Sequence, residues 1–224
     1  MRALGDLEKA KVMRRFFKTG PGQYGQGDVF IGITVPASRQ VAKKYASEIT
    51  LADVKTLLHS QIHEERLVAL LMLVQKYQGE PEKTTKFYLE NLDRVNNWDL
   101  VDLTAPSILG AFLLDRREDR SILYRLARSQ VLWERRVSIV STYAFIRKND
   151  FADTLKISEM LLSDSHDLMH KAVGWMLREV GKRDPAAEEG FLKQHYKKMP
   201  RTALRYAIER FSEDKRRAYM QGAV

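Results

Sequence analysis

From Thr50 onward the chain reads as helix after helix, with breaks of only two to five residues, and no other feature of the sequence limits the fold so tightly. Thr50 caps an expected helix over 51–59. A longer one over 62–78 follows, with Leu67, Leu70, Leu71, Val74 and Tyr77 on one apolar stripe. Pro81 opens 82–95, the segment around Trp98 pairs with Pro106–Leu114, and then come 119–129 with 131–147 and 151–163 with 167–182. Pro185 opens 186–198, and Thr202 to Tyr219 reads as one closing helix. Helix pairs recurring about every 35 residues are the mark of stacked antiparallel repeats, in which each pair hides its apolar face against the next.

The first fifty residues are less regular. An amphipathic helix is expected over 4–18, with Leu4, Leu7, Val12 and Phe16 among basic residues, ending at Thr19-Gly20-Pro21. Residues 20–28 hold four glycines and Tyr24 and form the longest expected loop. The apolar run Val29–Ile33 has no second strand to pair with, so it reads as a buried extended piece; a helix from Val35 and Pro36 to Ala46 follows it.

At 224 residues without a Pro/Gly/Ser linker, the chain reads as a single domain over 1–224. Cysteine is absent, which removes disulfides, thiolate nucleophiles and cysteine-based metal sites and fits a reducing cytoplasm. No stretch approaches the ~18 consecutive apolar residues of a membrane span, and the N-terminus has no apolar run for a signal peptide. The net charge of +9 lies at the ends: residues 1–48 carry 9 Lys/Arg against 4 Asp/Glu, residues 183–224 carry 10 against 6, and the middle is balanced. In a curved molecule two basic ends can grip one polyanion, as a phosphate backbone; the alternative is a generally basic surface.

Three constellations invite a chemical reading. In Asn97-Trp98-Asp99-Leu100-Val101-Asp102 a helix places Trp98 and Asp102 on one face and turns Asp99 about 100° away toward neighbouring helices. Structurally, Trp98 is then a core anchor and Asp102 or Thr104 a cap for a helix restarting at Pro106; chemically, the pair is an indole beside a reactive carboxylate. In the second constellation Lys171 and Arg178 bracket Trp175 by one turn on either side, which suits a sugar-phosphate surface and equally a core tryptophan with snorkelling cations. In the third, Trp133 precedes Arg135 and Arg136, which cannot share a face, so one suits the helix stack and the other a ligand. The pairs His59/His63 and His166/His170 are spaced i,i+4 but lack a matched third ligand, and read as surface or interhelical residues with no metal.

Four spaced blocks then carry a resemblance. They are Phe30-Ile31-Gly32-Ile33-Thr34-Val35-Pro36 with Arg39, Asn97 to Asp102 with Pro106 and Gly110, Leu132-Trp133-Glu134-Arg135-Arg136, and Ala172-Val173-Gly174-Trp175-Met176-Leu177-Arg178-Glu179. In this order they resemble the AlkD-like family of DNA alkylation repair enzymes, DNA glycosylases built from HEAT-like helical repeats, over nearly the whole chain. The resemblance implies an all-α, curved solenoid of HEAT-like antiparallel helix pairs. It also implies a monomer that hydrolyses the N-glycosidic bond of cationic N3- and N7-alkylated purines in double-stranded DNA, in the cytoplasm at the nucleoid, without base flipping, membrane or cofactor. Asp102 then matches the catalytic aspartate, Trp98 and Trp175 the tryptophans flanking the lesion's deoxyribose and phosphate, and Arg136 an arginine on the DNA backbone. Arg135, Lys171 and Arg178 are further candidate backbone contacts. Asn97 stands where the best-known members carry a tryptophan, Thr34 where they carry a glutamine, and the 20–28 loop is longer. The alternative is a non-catalytic helical-repeat protein that binds DNA by shape or branching.

Overall fold

The computed structural model describes all of residues 1–224, and every regular element in it is helical; one isolated parallel bridge, Val29 to Ile62, is the sole β feature. The all-α expectation is therefore met. Contacts group the chain into two compact units, Met1–Thr104 and Ala105–Val224, with no linker composition between them.

The first unit holds α1 (Leu7–Phe16), α2 (Val35–Tyr45), α3 (Leu51–Leu58), α4 (His63–Lys76), α5 (Pro81–Glu90) and α6 (Trp98–Thr104). Its axis is α4, which packs against α2, α3, α5 and α6 and is buried without interruption from His63 to Leu73. A helix covered all round is expected to be apolar all round. From Leu67 to Leu73 α4 is so, but its first turn is His63-Glu64-Glu65-Arg66, four ionisable residues in a row. Thr50 caps α3 in a reciprocal box with Asp53, as its sequence predicts.

Residues 29–33 are the expected extended piece, with Phe30 and Ile33 buried. Gly32 allows it to lie there. Its φ is +86°, and a Cβ would stand 2.0 Å from the carbonyl oxygen of Asp6, which is backbone and cannot move aside.

The second unit begins with a π-helical turn, Pro106–Gly110, closed by the Gly110 amide on the Ala105 carbonyl at 2.9 Å. It continues through α7 (Ala111–Leu113), α8 (Ser121–Ala127), α9 (Leu132–Ser141), α10 (Tyr143–Ile146), α11 (Ala152–Met160), α12 (Asp167–Gly181), α13 (Pro185–His195), α14 (Arg201–Ala207) and α15 (Glu213–Gln221). Its axis is α12, which packs on α9, α10, α11, α13 and α14. The approach of α14 requires Gly174, where a Cβ would meet the Ala203 carbonyl oxygen at 2.4 Å and the Tyr206 Cβ at 2.5 Å.

Several expected helices are divided. The 82–95 helix ends at Glu90, and Leu92–Arg94 follow Asn91 as a separate 3-10 turn. The 131–147 helix breaks at Thr142, where the Ser141 and Thr142 hydroxyls donate back to the carbonyls of Val137 and Ile139 at 2.7 and 2.6 Å and compete with the helical ladder. The closing helix breaks at Phe211, which is extended, and Ser212 with Glu213 and Asp214 after it starts α15.

Candidate nucleic-acid site

In the first unit, α6 presents Trp98 and, one turn on, Asp102, both half-buried. Asp99 between them is buried, as its helical phase predicts. The Trp98 ring lies nearly parallel to Phe17, 5.1 Å between centroids and 8° apart, with Phe16 edge-on at 5.8 Å. Phe17 stacks on Phe30 at 4.8 Å, and Phe30 on the His63 imidazole at 4.5 Å. Phe17 also reaches the imidazole directly at 5.1 Å, so the indole is the outer member of a four-ring cluster that ends on α4.

His63 fills the inner end. Its Nε2 faces Asp99 Oδ2 at 2.8 Å and its Nδ1 faces Asp28 Oδ2 at 3.0 Å, with the imidazole 1 % exposed. Burial alone would lower the pKa of His63, but hydrogen bonds to two carboxylates and their charges outweigh it, and the net shift is upward. Burial likewise raises the Asp28 carboxyl, and His63, Arg66 and Asn97 together bring it below its ordinary value. Arg66 donates to Asp28 Oδ1 at 2.5 Å and to the carbonyls of Ser60 and Gln61. Asn97, buried just before α6, donates to Asp28 at 3.0 Å and accepts the Trp98 amide at 2.9 Å.

The other two charges of the α4 turn are also satisfied. Glu64 accepts the backbone amides of Ile31, Gly32 and Ile33 at 2.8–3.2 Å, and Glu65 pairs with Arg2 at 2.8 Å and accepts from the Ser60 hydroxyl. Asp28, His63, Glu64 and Arg66 escaped the sequence reading as site residues. For the three on α4 the one signal is the charged tetrad opening an apolar helix; Asp28, at the end of the glycine-rich loop, gives none.

Thr104 does not cap the turn beginning at Pro106. Its hydroxyl donates to the Leu100 carbonyl at 2.5 Å and lies 3.1 Å from the Tyr88 hydroxyl. Tyr88 is fully buried, and its pKa rises by burial first, opposed by the Thr104 bond and reinforced by the negative charge of Asp102.

In the second unit, α12 carries Lys171, Trp175 and Arg178 along one side. Trp175 donates its indole N–H to Glu179 at 3.2 Å, and its ring is 5.9 Å from Tyr143. Lys171 pairs with Asp167 at 2.8 Å, and Arg178 pairs with Glu209 and faces Glu179 at 3.6 Å. The arginines of α9 are held inside the unit. Arg135 donates to Asp164 at 2.6 Å and to the carbonyls of Ser129 and Gln130; Arg136, 4 % exposed, donates to the Leu168 carbonyl at 2.5 Å and so fixes the start of α12.

Two of the remaining histidines serve that same start: His166 accepts the Leu168 amide and His170 bonds the Asp164 carbonyl, whereas exposed His59 bonds the Lys55 carbonyl within α3. No group of three or more His, Asp or Glu is arranged to hold a metal ion, and no helix is long and apolar enough to cross a membrane.

Comparison with known proteins gives a single direction. The sequence matches the family model described as DNA alkylation repair enzyme over residues 1–211. No curated protein matches it. Among solved structures, a predicted DNA alkylation repair enzyme from Enterococcus faecalis superposes with a TM-score of 0.77 at 19 % identity, covering 93 % of this chain and 97 % of that one. AlkD2 from Streptococcus mutans superposes with a TM-score of 0.61 at 15 % identity, covering 92 % and 99 %. At these identities the likeness establishes the fold, a helical solenoid.

Proposed function

Because the chain belongs to the DNA alkylation repair enzyme family, we propose that it is a DNA glycosylase for cationic N3- and N7-alkylated purines in double-stranded DNA. The observation that supports this most is the division of labour between the two carboxylates of α6. Asp99 is buried on His63, while Asp102 stands half-exposed on the face that carries Trp98. A positively charged purine is already a good leaving group, so no general acid is needed. What the reaction needs is negative charge near C1′ as the sugar becomes an oxocarbenium ion, and a polarised water to attack it. Asp102 supplies both.

Trp98 sets the sugar beside that carboxylate and excludes water, which strengthens the charge interaction. In the second unit, Trp175 offers its ring to deoxyribose, and Lys171 and Arg178 exchange their partly solvated acidic partners for phosphates. Arg135 and Arg136 support the same surface from beneath, through Asp164 and Leu168. The protein acts as a monomer without a cofactor, and needs no base pocket because the lesion stays in the duplex. The experiment is release of N3-methyladenine and N7-methylguanine from methylated duplex DNA by the native chain and by Asp102→Asn. Release that collapses in the variant supports hydrolysis at Asp102, and binding without release from either protein favours a non-catalytic DNA-binding role.

A further inference from the structure

The residues on either side of Trp98 in sequence are both tied to one buried hub. Asn97 reaches Asp28, Asp99 reaches His63, and His63 joins Asp28 to Asp99 through its two ring nitrogens. The Trp98 ring is tied to the same hub by a separate route, through Phe17 and Phe30 to the imidazole face. Backbone and side chain of this one tryptophan thus converge on His63 by independent contacts. His63 is too deeply buried to touch DNA.

We propose that His63, bridging Asp28 and Asp99, is a positioning residue that sets the first turn of α6, and with it Trp98 and Asp102, in the geometry used for base release. The proposal rests on the reading of Asp102 as the reacting carboxylate. Only the imidazolium donates from both ring nitrogens at once; the neutral ring donates from one and leaves a lone pair against the other carboxylate. Loss of the proton therefore releases either Asp28, and with it Asn97, or Asp99.

The groups facing His63 from each packed element are Asp28 from the 17–34 segment, Asp99 from α6 and Arg66 from α4, with the rings of Phe17 and Phe30 on its faces. Glu64 and Glu65 on α4 are turned away, to the 31–33 amides and to Arg2. The net charge of Asp28, Asp99, Arg66 and protonated His63 is zero, so deprotonation leaves a buried negative charge in excess. That is the state in which α6 loosens.

The native chain itself provides the first test. The indole N–H resonance of Trp98, assigned by Trp98→Phe, is expected to move as pH is raised from 5.5 to 9.5, with a midpoint above the usual imidazole value of ~6.5. In His63→Gln, which keeps one donor, the resonance should no longer titrate. Single-turnover base release should fall by about tenfold or more in that variant below the native midpoint, as for a small misplacement of a reacting group, with duplex affinity within about threefold and the difference from native shrinking as pH rises through that midpoint.

A Trp98 resonance that stays still across the range in the native chain overturns the proposal, and so does His63→Gln releasing base at the native rate. If His63→Gln does not fold, the native titration alone decides. If the native chain releases no base at all, the glycosylase reading fails, and the Trp98 titration still decides whether His63 positions α6.

Discussion

The helices that carry Trp98 and Trp175 are held by different means. Around Trp98 on α6 the polar partners are buried: the His63 ring is 1 % exposed and the side chains of Asp28 and Asp99 are 8 % and 6 % exposed. Around Trp175 on α12 the inner partners are covered, with Arg178 and Glu179 18 % and 10 % exposed, but the outer ones are wet: Lys171 and Asp167 are 38 % and 57 % exposed, and Glu209, the other partner of Arg178, is 48 % exposed. Desolvated pairs fix geometry and are expensive to break singly, whereas screened pairs contribute little stability and exchange readily for another anion. The first arrangement suits a carboxylate that must not move. The second suits a surface that must trade carboxylates for phosphates.

The sharpest way to break this contrast is Asp28→Ala. It strands His63 and Arg66 without their shared carboxylate, and a loss of about 3–5 kcal/mol is expected in urea melts, the range for removing one partner of a buried pair. A loss below about 1 kcal/mol would mean that the hub is wetter than its burial indicates. Next, Asp102→Asn should lower single-turnover release by at least ~10²-fold, the scale for losing one preorganised electrostatic group. Duplex affinity should hold or rise, and melting should change little. The drop should be smallest for N3-methyladenine, whose glycosidic bond is already weak.

Arg136→Ala should cost about 1.5–3 kcal/mol of stability, the range for hydrogen bonds to charged groups. Any weakening of DNA binding should accompany the loosened start of α12. If binding falls while melting is unchanged, Arg136 contacts a phosphate itself.

The two units also differ in their response to pH. In the first, the raised His63 contributes stability that is full below its unfolded pKa and is lost as pH rises through the folded value. The depressed Asp28 contributes stability present above its unfolded pKa and lost as pH falls through the folded value. That unit is most stable between the two. In the second, burial pushes Glu188 up to about 8, helped by the neighbouring charge of Glu189, so its contribution is full below the unfolded carboxylate range and is lost as pH rises through about 8. Glu188→Gln should therefore raise the melting temperature at pH 9 relative to native while leaving it nearly unchanged at pH 4. Equal shifts at both pH values would assign the effect to packing. The smallest effects belong to the wet pairs: Lys171→Ala should change stability by less than about 1 kcal/mol, yet reduce the salt slope of duplex binding by about 0.9 if its ammonium meets one phosphate.

Much of the fold was legible because its punctuation is local. Thr50, Pro81 and Pro185 mark helix starts through capping or fixed φ, and the 3.6-residue period separated buried Asp99 from half-exposed Asp102. Breaks without Gly or Pro, at Thr142 and Phe211, gave weaker signals, since hydroxyl back-bonding and a serine start also occur beside uninterrupted helices. The support of the site was hidden for a different reason. His63 meets Asp28 and Asp99 at separations of 35 and 36 residues, beyond any periodicity, and a His-Glu-Glu-Arg run looks like a solvated first turn until its partners are folded onto it. Arg135 and Arg136 are adjacent in sequence, yet each bonds a different carbonyl or carboxylate within the unit.

Glu64 carries one more consequence, which concerns the order of assembly. Its carboxylate takes three successive amides that in a sheet would be taken by a neighbouring strand. The extended piece 31–33 therefore has no template until the first turn of α4 exists, and closing a loop of about thirty residues onto that turn is entropically uphill until the bonds form together. The expected order of assembly in the first unit runs backward along the chain, with α4 condensing ahead of the N-terminal thirty residues. The same chronology in reverse makes those residues the first to let go, so the amides of Ile31, Gly32 and Ile33 should exchange with solvent before those in the middle of α4.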